Sequence, residues 1–268
     1  MTPYRIFSAR GEALPVVASI PHTGVAMPAG YARRLASDAM RGLPMTDWHM
    51  AKLFDFLPSL GVTVIAAEVS RFVIDLNRPP GGEALYPGRY ETGLVPRRSF
   101  DGSEVFADPP TEEETETARR GIYEPYHRAL AELRARSRAA DTVIQLDLHS
   151  VTPAANRISG PLANDIMLGD RDGRSCAAWL TETVREAYLA NGFSVAVNAP
   201  YKGGWITESG GRETGVEALQ IEMSWAVYLD PERPGESSGE PLFDRAQGRL
   251  RTVFERFLPA AVERLRQG

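Results

Sequence analysis

A run of apolar residues ending in an imidazole constrains this chain more than any other stretch. Val143-Ile144-Gln145-Leu146-Asp147-Leu148-His149-Ser150 is β-branched and leucine-rich, the composition of a buried strand. A carboxylate stands two residues before the imidazole and a hydroxyl one after. Parallel strands of α/β folds present polar side chains at their carboxyl ends, where ligands bind. His149 is therefore either a site residue or a strand-end histidine tied to a neighbouring loop. A second stretch of the same design favours the site: Leu14–Ile20 reads as a strand and runs into Pro21-His22-Thr23-Gly24, a turn with proline and glycine.

The other elements follow from periodicity and punctuation. A helix is expected from Thr46, its N-cap, with Met50, Leu53, Phe54 and Leu57 at helical spacing and Pro58 as its stop. Asp47 falls in its first turn, where a carboxylate favours the helix dipole. His49, two residues on, points to another side. Val62–Ala67 and Phe72–Leu76 read as strands, and the second is flanked by Arg71 and by Asn77-Arg78. Arg78 can hold a carboxylate in a bidentate fork with Asn77 in support, or close the loop as an ion pair with Asp75. Residues 79–110 are rich in Gly, Pro and charge and form a lid, a rim of the site or surface padding. Thr111 opens a capping box with Glu114 ahead of a long helix that Pro125 is expected to kink; His127 in that helix is structural. Further on come a polar loop Val151–Arg157, strands at Asp165–Gly169 and Phe193–Asn198, and a helix at Cys176–Asn191 closed by Gly192. Val216–Ser224 is the last strong strand, in which Leu219, Ile221 and Met223 alternate with Gln220 and Glu222. The chain closes on an amphipathic helix through Phe243, Leu250, Phe254 and Phe257.

Strands alternating with helices make an α/β fold: a three-layer, mixed and mainly parallel sheet with helices on both faces. With 268 residues and 43% hydrophobic content, a single domain over 1–268 is expected. Net charge is −5 with acids and bases interspersed, so no nucleic-acid footprint appears. No apolar run approaches the length of a membrane span. One cysteine, Cys176, and an N-terminus without signal-peptide character make a cytoplasmic setting the expectation. Oligomeric state is left open.

In such a fold the strand ends share one edge, where His22, Arg71, Asn77, Arg78, His149 and Glu222 can meet. Two histidines, a carboxylate and an open fourth position are the ligands of a catalytic zinc site, and Asp47 is the candidate carboxylate. No compact HExxH or CxxC motif is present.

PHTG with His22, TDWH with Asp47, SRFVIDLNRPP, DLHS with His149, PYKGGWIT and LQIEMS with Glu222 resemble the N-formylglutamate amidohydrolase family, in the same order from about Val16 to Asp230. The resemblance implies a zinc-carboxypeptidase-like fold and zinc-dependent hydrolysis of N-formyl-L-glutamate to L-glutamate and formate, in histidine degradation. It makes His22, Asp47 and His149 the ligands of one zinc, or of another divalent ion. It makes Glu222 the general base and Arg71 a helper at the developing oxyanion. Its DLNR segment also resembles aspartoacylase and succinylglutamate desuccinylase relatives, which implies Asn77 and Arg78, with Arg71, for a substrate carboxylate; Lys202 and Arg212 join the substrate set. Asp147 is a candidate to orient an imidazole.

Two features depart from the pattern. Zinc carboxypeptidases place a glutamate ligand three residues after the first histidine, and Val25 stands there, so the carboxylate comes from elsewhere. After GGWIT this chain has Glu208-Ser209-Gly210-Gly211 before Arg212, where many deformylases are basic and aromatic. Other readings are a deacylase of a different N-acyl amino acid or small peptide, and a non-catalytic module that binds metal and a small acid. Glu222 separates the last of these, because a binder needs no general base.

Overall fold

The computed structural model describes residues 2–267 except 86, 87, 89 and 140. Seven strands, β1 (Tyr4–Phe7), β2 (Val16–Ile20), β3 (Thr63–Ala67), β4 (Val143–Val151), β5 (Ile166–Gly169), β6 (Val195–Val197) and β7 (Val216–Ser224), form one sheet in the order β1-β3-β2-β4-β7-β5-β6. The four central strands β3, β2, β4 and β7 run parallel. Antiparallel pairings join β1 to β3 and β5 to β7, and β6 runs parallel to β5 at the other edge. The sheet is thus mixed and mainly parallel, as expected, because helical crossovers return the central strands in one direction.

The helices are α1 (Ala29–Ala32), α2 (Asp38–Arg41), α3 (Met50–Leu53), α4 (Glu112–Ala118), α5 (Glu124–Ser137), α6 (Ala178–Ala190), α7 (Trp205–Gly211) and α8 (Pro241–Gln267). They divide between the two faces. Ile144, Leu146 and Leu148 of β4 and Leu219, Ile221 and Met223 of β7 pack with α3, α6 and α8 in one apolar cluster. The opposite face packs α4, α5 and α7 against Val17, Ile65 and Ala218. That second face turns polar toward the carboxyl ends of the strands. There Gln145, Asp147 and His149 of β4 lie beside Gln220 and Glu222 of β7, all buried. A strand that puts leucines on one face and an amide, a carboxylate and an imidazole on the other needs hydrogen-bond partners for every one of them. No described helix is long and apolar enough to cross a membrane.

Three local expectations are corrected. Phe72–Leu76 is no strand, although Phe72, Val73, Ile74 and Leu76 are fully buried. Its backbone is held by turns and side chains instead: Val73 N–H donates to Ser70 O (2.9 Å), and Asn77 N–H to the Asp75 carboxylate (2.9 Å). Burial on all sides gives the same apolar run as a sheet position, so composition cannot separate the two. Thr46 is no N-cap, since α3 begins at Met50 after a left-handed His49 (φ 58°), and Asp47 lies ahead of the helix. Pro125 falls in the first turn of α5, where a missing N–H is tolerated; the irregularity is the π-helical turn Arg119–Tyr123 before it. The Thr111–Glu114 capping box forms as expected.

Candidate metal centre and its cavity

Parallel strands bring the site together. His149 on β4 and Glu222 on β7 are register partners on the polar face. His22 follows β2, the other neighbour of β4, by two residues. The backbone supplies the carboxylate, because Asp47 N–H donates to His22 O (3.0 Å) and so docks the 46–49 turn on the histidine loop. A hydroxyl chain clamps that turn to β4: Ser150 Oγ meets Tyr228 OH (2.7 Å), which donates to Trp48 O (2.9 Å).

His22, Asp47 and His149 each offer a ligand atom, and these atoms lie within 4.8 Å of one another. Asp47 Oδ2 is 3.0 Å from His149 Nδ1 and 3.8 Å from His22 Nδ1. Each imidazole has a carboxylate behind it. His22 Nε2 is 2.7 Å from Asp75 Oδ1, and His149 Nε2 is 3.3 Å from Asp147 Oδ2. A proton on His22 Nε2, held by Asp75, leaves the His22 Nδ1 lone pair facing the cluster, the arrangement of a metal-ligating histidine oriented by a second carboxylate. His22 Nδ1 is buried with no hydrogen-bond partner. A buried acceptor left unpaired is costly, and a cation among two imidazoles and a carboxylate satisfies it. This donor set fits zinc.

The two histidines respond oppositely to their surroundings. Burial and the Arg71 charge lower the His22 pKa against Asp75. For His149, burial works against the charged form, but Asp147 and Asp47 outweigh it and raise the pKa well above the usual imidazole range. Glu222 is 8% exposed and accepts from Gln220 Nε2 (3.1 Å). Burial, opposed by His149 and helped by Asp47, pushes its carboxyl up to about 8.

Asp75 organises the neighbouring wall. It accepts from His22, from Arg71 Nη2 (2.5 Å) and from Asn77 N–H. Arg71, not Arg78, is therefore its ion-pair partner. Arg78 donates through Nε and Nη2 to Thr92 Oγ1 (3.1 and 3.0 Å). Asn77 reaches His149 Nε2 at 3.0 Å and accepts from Ile206 N–H (2.8 Å). Gly204 permits this approach, since a Cβ there would lie 2.2 Å from Asn77 Nδ2.

A cavity of about 410 Å³ opens over the cluster. His22, Asp47, His149 and Glu222 line it, and so do Arg71, Asn77, Arg78 and Lys202. Lys202 Nζ is also bridged to both oxygens of Asp172 (2.8 and 2.9 Å). Arg212 does not join them. Its side chain is 66% exposed, pairs with Glu208 and lies over the Trp205 ring, because the end of α7 turns it away from the cavity. Val25, at the position of the carboxypeptidase glutamate, is exposed. From the 79–110 segment, Gly88, Tyr90, Glu91 and Phe100 form part of the rim; residues 86, 87 and 89 lie outside the described residues. Sequence reasoning missed Arg157, Tyr201 and Gln220 as cavity residues. Arg157 lies in the loop after β4, Tyr201 in the loop after β6, and Gln220 within β7 two residues before Glu222 on the same face, so only the period of two pointed to Gln220.

A parallel sheet edge that carries a two-histidine, one-carboxylate cluster, a buried acid of raised pKa and a cationic wall has the parts of a hydrolytic site. The chain belongs to the N-formylglutamate amidohydrolase family, whose profile matches residues 14–229. It is accordingly an amidohydrolase. It is 33% identical to the N-formylglutamate deformylase of Pseudomonas putida over 97% of this chain and 98% of that one. The N-formylglutamate deformylase of Pseudomonas aeruginosa is 32% identical over the same shares. Among solved structures, N-formylglutamate amidohydrolase from Ralstonia eutropha JMP134 superimposes with a TM-score of 0.82 at 27% identity, covering all of both chains.

Proposed function

We propose that this enzyme hydrolyses N-formyl-L-glutamate to L-glutamate and formate with one zinc ion held by His22, Asp47 and His149, as a step of histidine degradation in the cytoplasm. The observation that carries the reading is a single cavity holding the His22–Asp47–His149 cluster, Glu222 and the arginine wall. Bound zinc supplies Lewis acidity and brings the pKa of a water toward about 7. Glu222 takes a proton from the attacking water and passes it to the leaving amine nitrogen. Burial raises the Glu222 carboxyl above the usual carboxylate range, which makes it a stronger base for the first transfer and still an acid for the second. Asp75 holds the His22 imidazole in the tautomer that turns Nδ1 inward, and Asp147 stands 3.3 Å from His149 Nε2. Arg71 Nε is buried without a partner in the cavity wall, a donor suited to the oxyanion that develops on the formyl oxygen. Arg78 and Asn77 hold the α-carboxylate beside the scissile amide, and Lys202 adds positive charge.

The test is metal content and turnover together. Zinc-reconstituted protein is expected to hold about one zinc per chain and to release glutamate from N-formylglutamate. The His22→Ala/His149→Ala variant loses the metal by elemental analysis. Full retention in that variant sinks the metal site, and an inactive, fully loaded wild type sinks the activity.

Arg78→Lys is expected to lower kcat/KM for N-formylglutamate by about 100-fold, because lysine lacks the planar fork that positions the amide. The loss shrinks on an analogue whose α-carboxylate is a neutral amide. If Arg78 serves only to tie the loop to Thr92, both substrates lose equally and the melting temperature falls.

A further inference from the structure

We infer that Arg157 recognises a second, distal carboxylate of the substrate, so that the site selects N-acyl amino acids with an anionic side chain. This rests on the proposed amide hydrolysis and concerns a residue outside the substrate set above. Among the described residues four cations line the cavity: Arg71, Arg78, Arg157 and Lys202. Arg71 and Lys202 are paired with carboxylates of the chain, Asp75 and Asp172, and Arg78, on the neutral Thr92 hydroxyl, is assigned above to the α-carboxylate. Arg157 has no carboxylate within salt-bridge distance among the described residues. Its Nε donates to Asp101 O (3.3 Å), and its guanidinium lies 5.7 Å from the centre of the Tyr90 ring. These contacts leave the terminal fork of Nη1 and Nη2 for a ligand, and a planar fork matches a carboxylate bidentately.

The position is built. Arg157 N–H donates to Phe100 O (2.9 Å). The preceding turn is fixed by Asn156 Oδ1, which accepts from Ile158 N–H (2.8 Å) and Ser159 N–H (3.0 Å). Gly102, at φ +94°, lets the guanidinium settle on the 99–102 turn, for a Cβ there would lie 2.2 Å from Arg157 Nε. Phe100 also sets the order of the charges. Its ring lies 5.2 Å from the Arg71 guanidinium, which joins the metal cluster through Asp75, whereas its carbonyl holds the Arg157 backbone. Arg71 is buried and Arg157 exposed, so one cation lies deep and the other at the mouth of the same cavity. An amide over the cluster with its α-carboxylate on the deep wall directs its side chain outward to Arg157. The other acid of this wall, Glu91, accepts from Leu85 N–H (3.0 Å).

Zinc-loaded wild type, R157Q and R157K are to be compared on N-formylglutamate and its neutral isostere N-formylglutamine, with calorimetric binding of L-glutamate and L-glutamine beside the kinetics. Wild type is expected to prefer the glutamate substrate. R157Q lowers kcat/KM on it about 10- to 100-fold, mainly through KM, as for a lost hydrogen bond to a charged group. The glutamine substrate stays within about twofold, as for a surface change with no role in its binding. R157K falls between, and L-glutamate binding weakens in parallel. Equal fractional losses on both substrates, or a wild type without preference for the acid, overturn the role of Arg157 and leave the amide hydrolysis standing. A loaded wild type inactive on every N-formyl amino acid overturns both.

Discussion

Glu222→Gln is expected to lower kcat by about 100- to 10,000-fold, the range for loss of a general acid–base group, and to leave fold and metal content intact. The amide has the shape of the acid and can still accept the bond from Gln220 Nε2. It cannot hold the transferred proton. In the proposed reading the arginine wall binds the acyl amino acid, so KM is expected to change little. Stability follows from the sign of the shift. The Glu222 carboxyl is raised to about 8 in the fold, so the folded state binds its proton more tightly than the unfolded chain does. That contribution is present below the unfolded value of about 4.3 and is lost as pH rises toward 8. Metal-free E222Q lacks this loss and is expected to be at least as stable as metal-free wild type at neutral pH. Turnover near the wild-type rate in a fully loaded variant removes Glu222 from the chemistry.

Asp75→Asn is expected to destabilise the metal-free protein by about 3–5 kcal/mol, the cost of stranding one member of a buried ion pair. Arg71 is buried and has Asp75 as its counter-charge. Asp75 also accepts from His22 Nε2. An asparagine oxygen can serve one of these donors, and its amide hydrogens then confront the other. Metal affinity is expected to fall about 10- to 100-fold, because the carboxylate that orients His22, a proposed ligand, is gone. Burial opposes ionisation of Asp75, but Arg71 and His22 outweigh it and hold the carboxyl well below its usual range. Its stabilisation is therefore present above the unfolded pKa of about 3.9 and is lost as pH falls through the folded value. The variant should lose less stability in acid than wild type. Denaturant titration and competition with a chelator measure both effects; a stability loss below about 1 kcal/mol, the scale of an exposed pair, sinks the buried-pair account.

Much of this architecture was legible in periodicity. Val216–Ser224 appears as a strand with the bounds read from its alternation, and the Val143–Ser150 run extends by one residue to Val151. Phe72–Leu76 was misread because full burial produces an apolar run in a loop as readily as in a strand. Asp47 was legible as a carboxylate of the right type, but not as a residue ahead of its helix. That placement depends on the left-handed turn at His49 and on the bond from Asp47 N–H to His22 O.

By itself the sequence determined which residue types stand at the ends of the strands, because a period of two and the cost of burying unpaired polar groups are local rules. It also determined the family, through several motifs in one order. Only the tertiary structure decided the partners. Arg71 rather than Arg78 neutralises Asp75, Arg212 turns away on α7, and Arg157 folds back to the mouth of the cavity. These choices depend on which of several similar guanidiniums comes within hydrogen-bond distance of a given acceptor. Loop closure sets that distance in three dimensions, and spacing along the chain does not contain it.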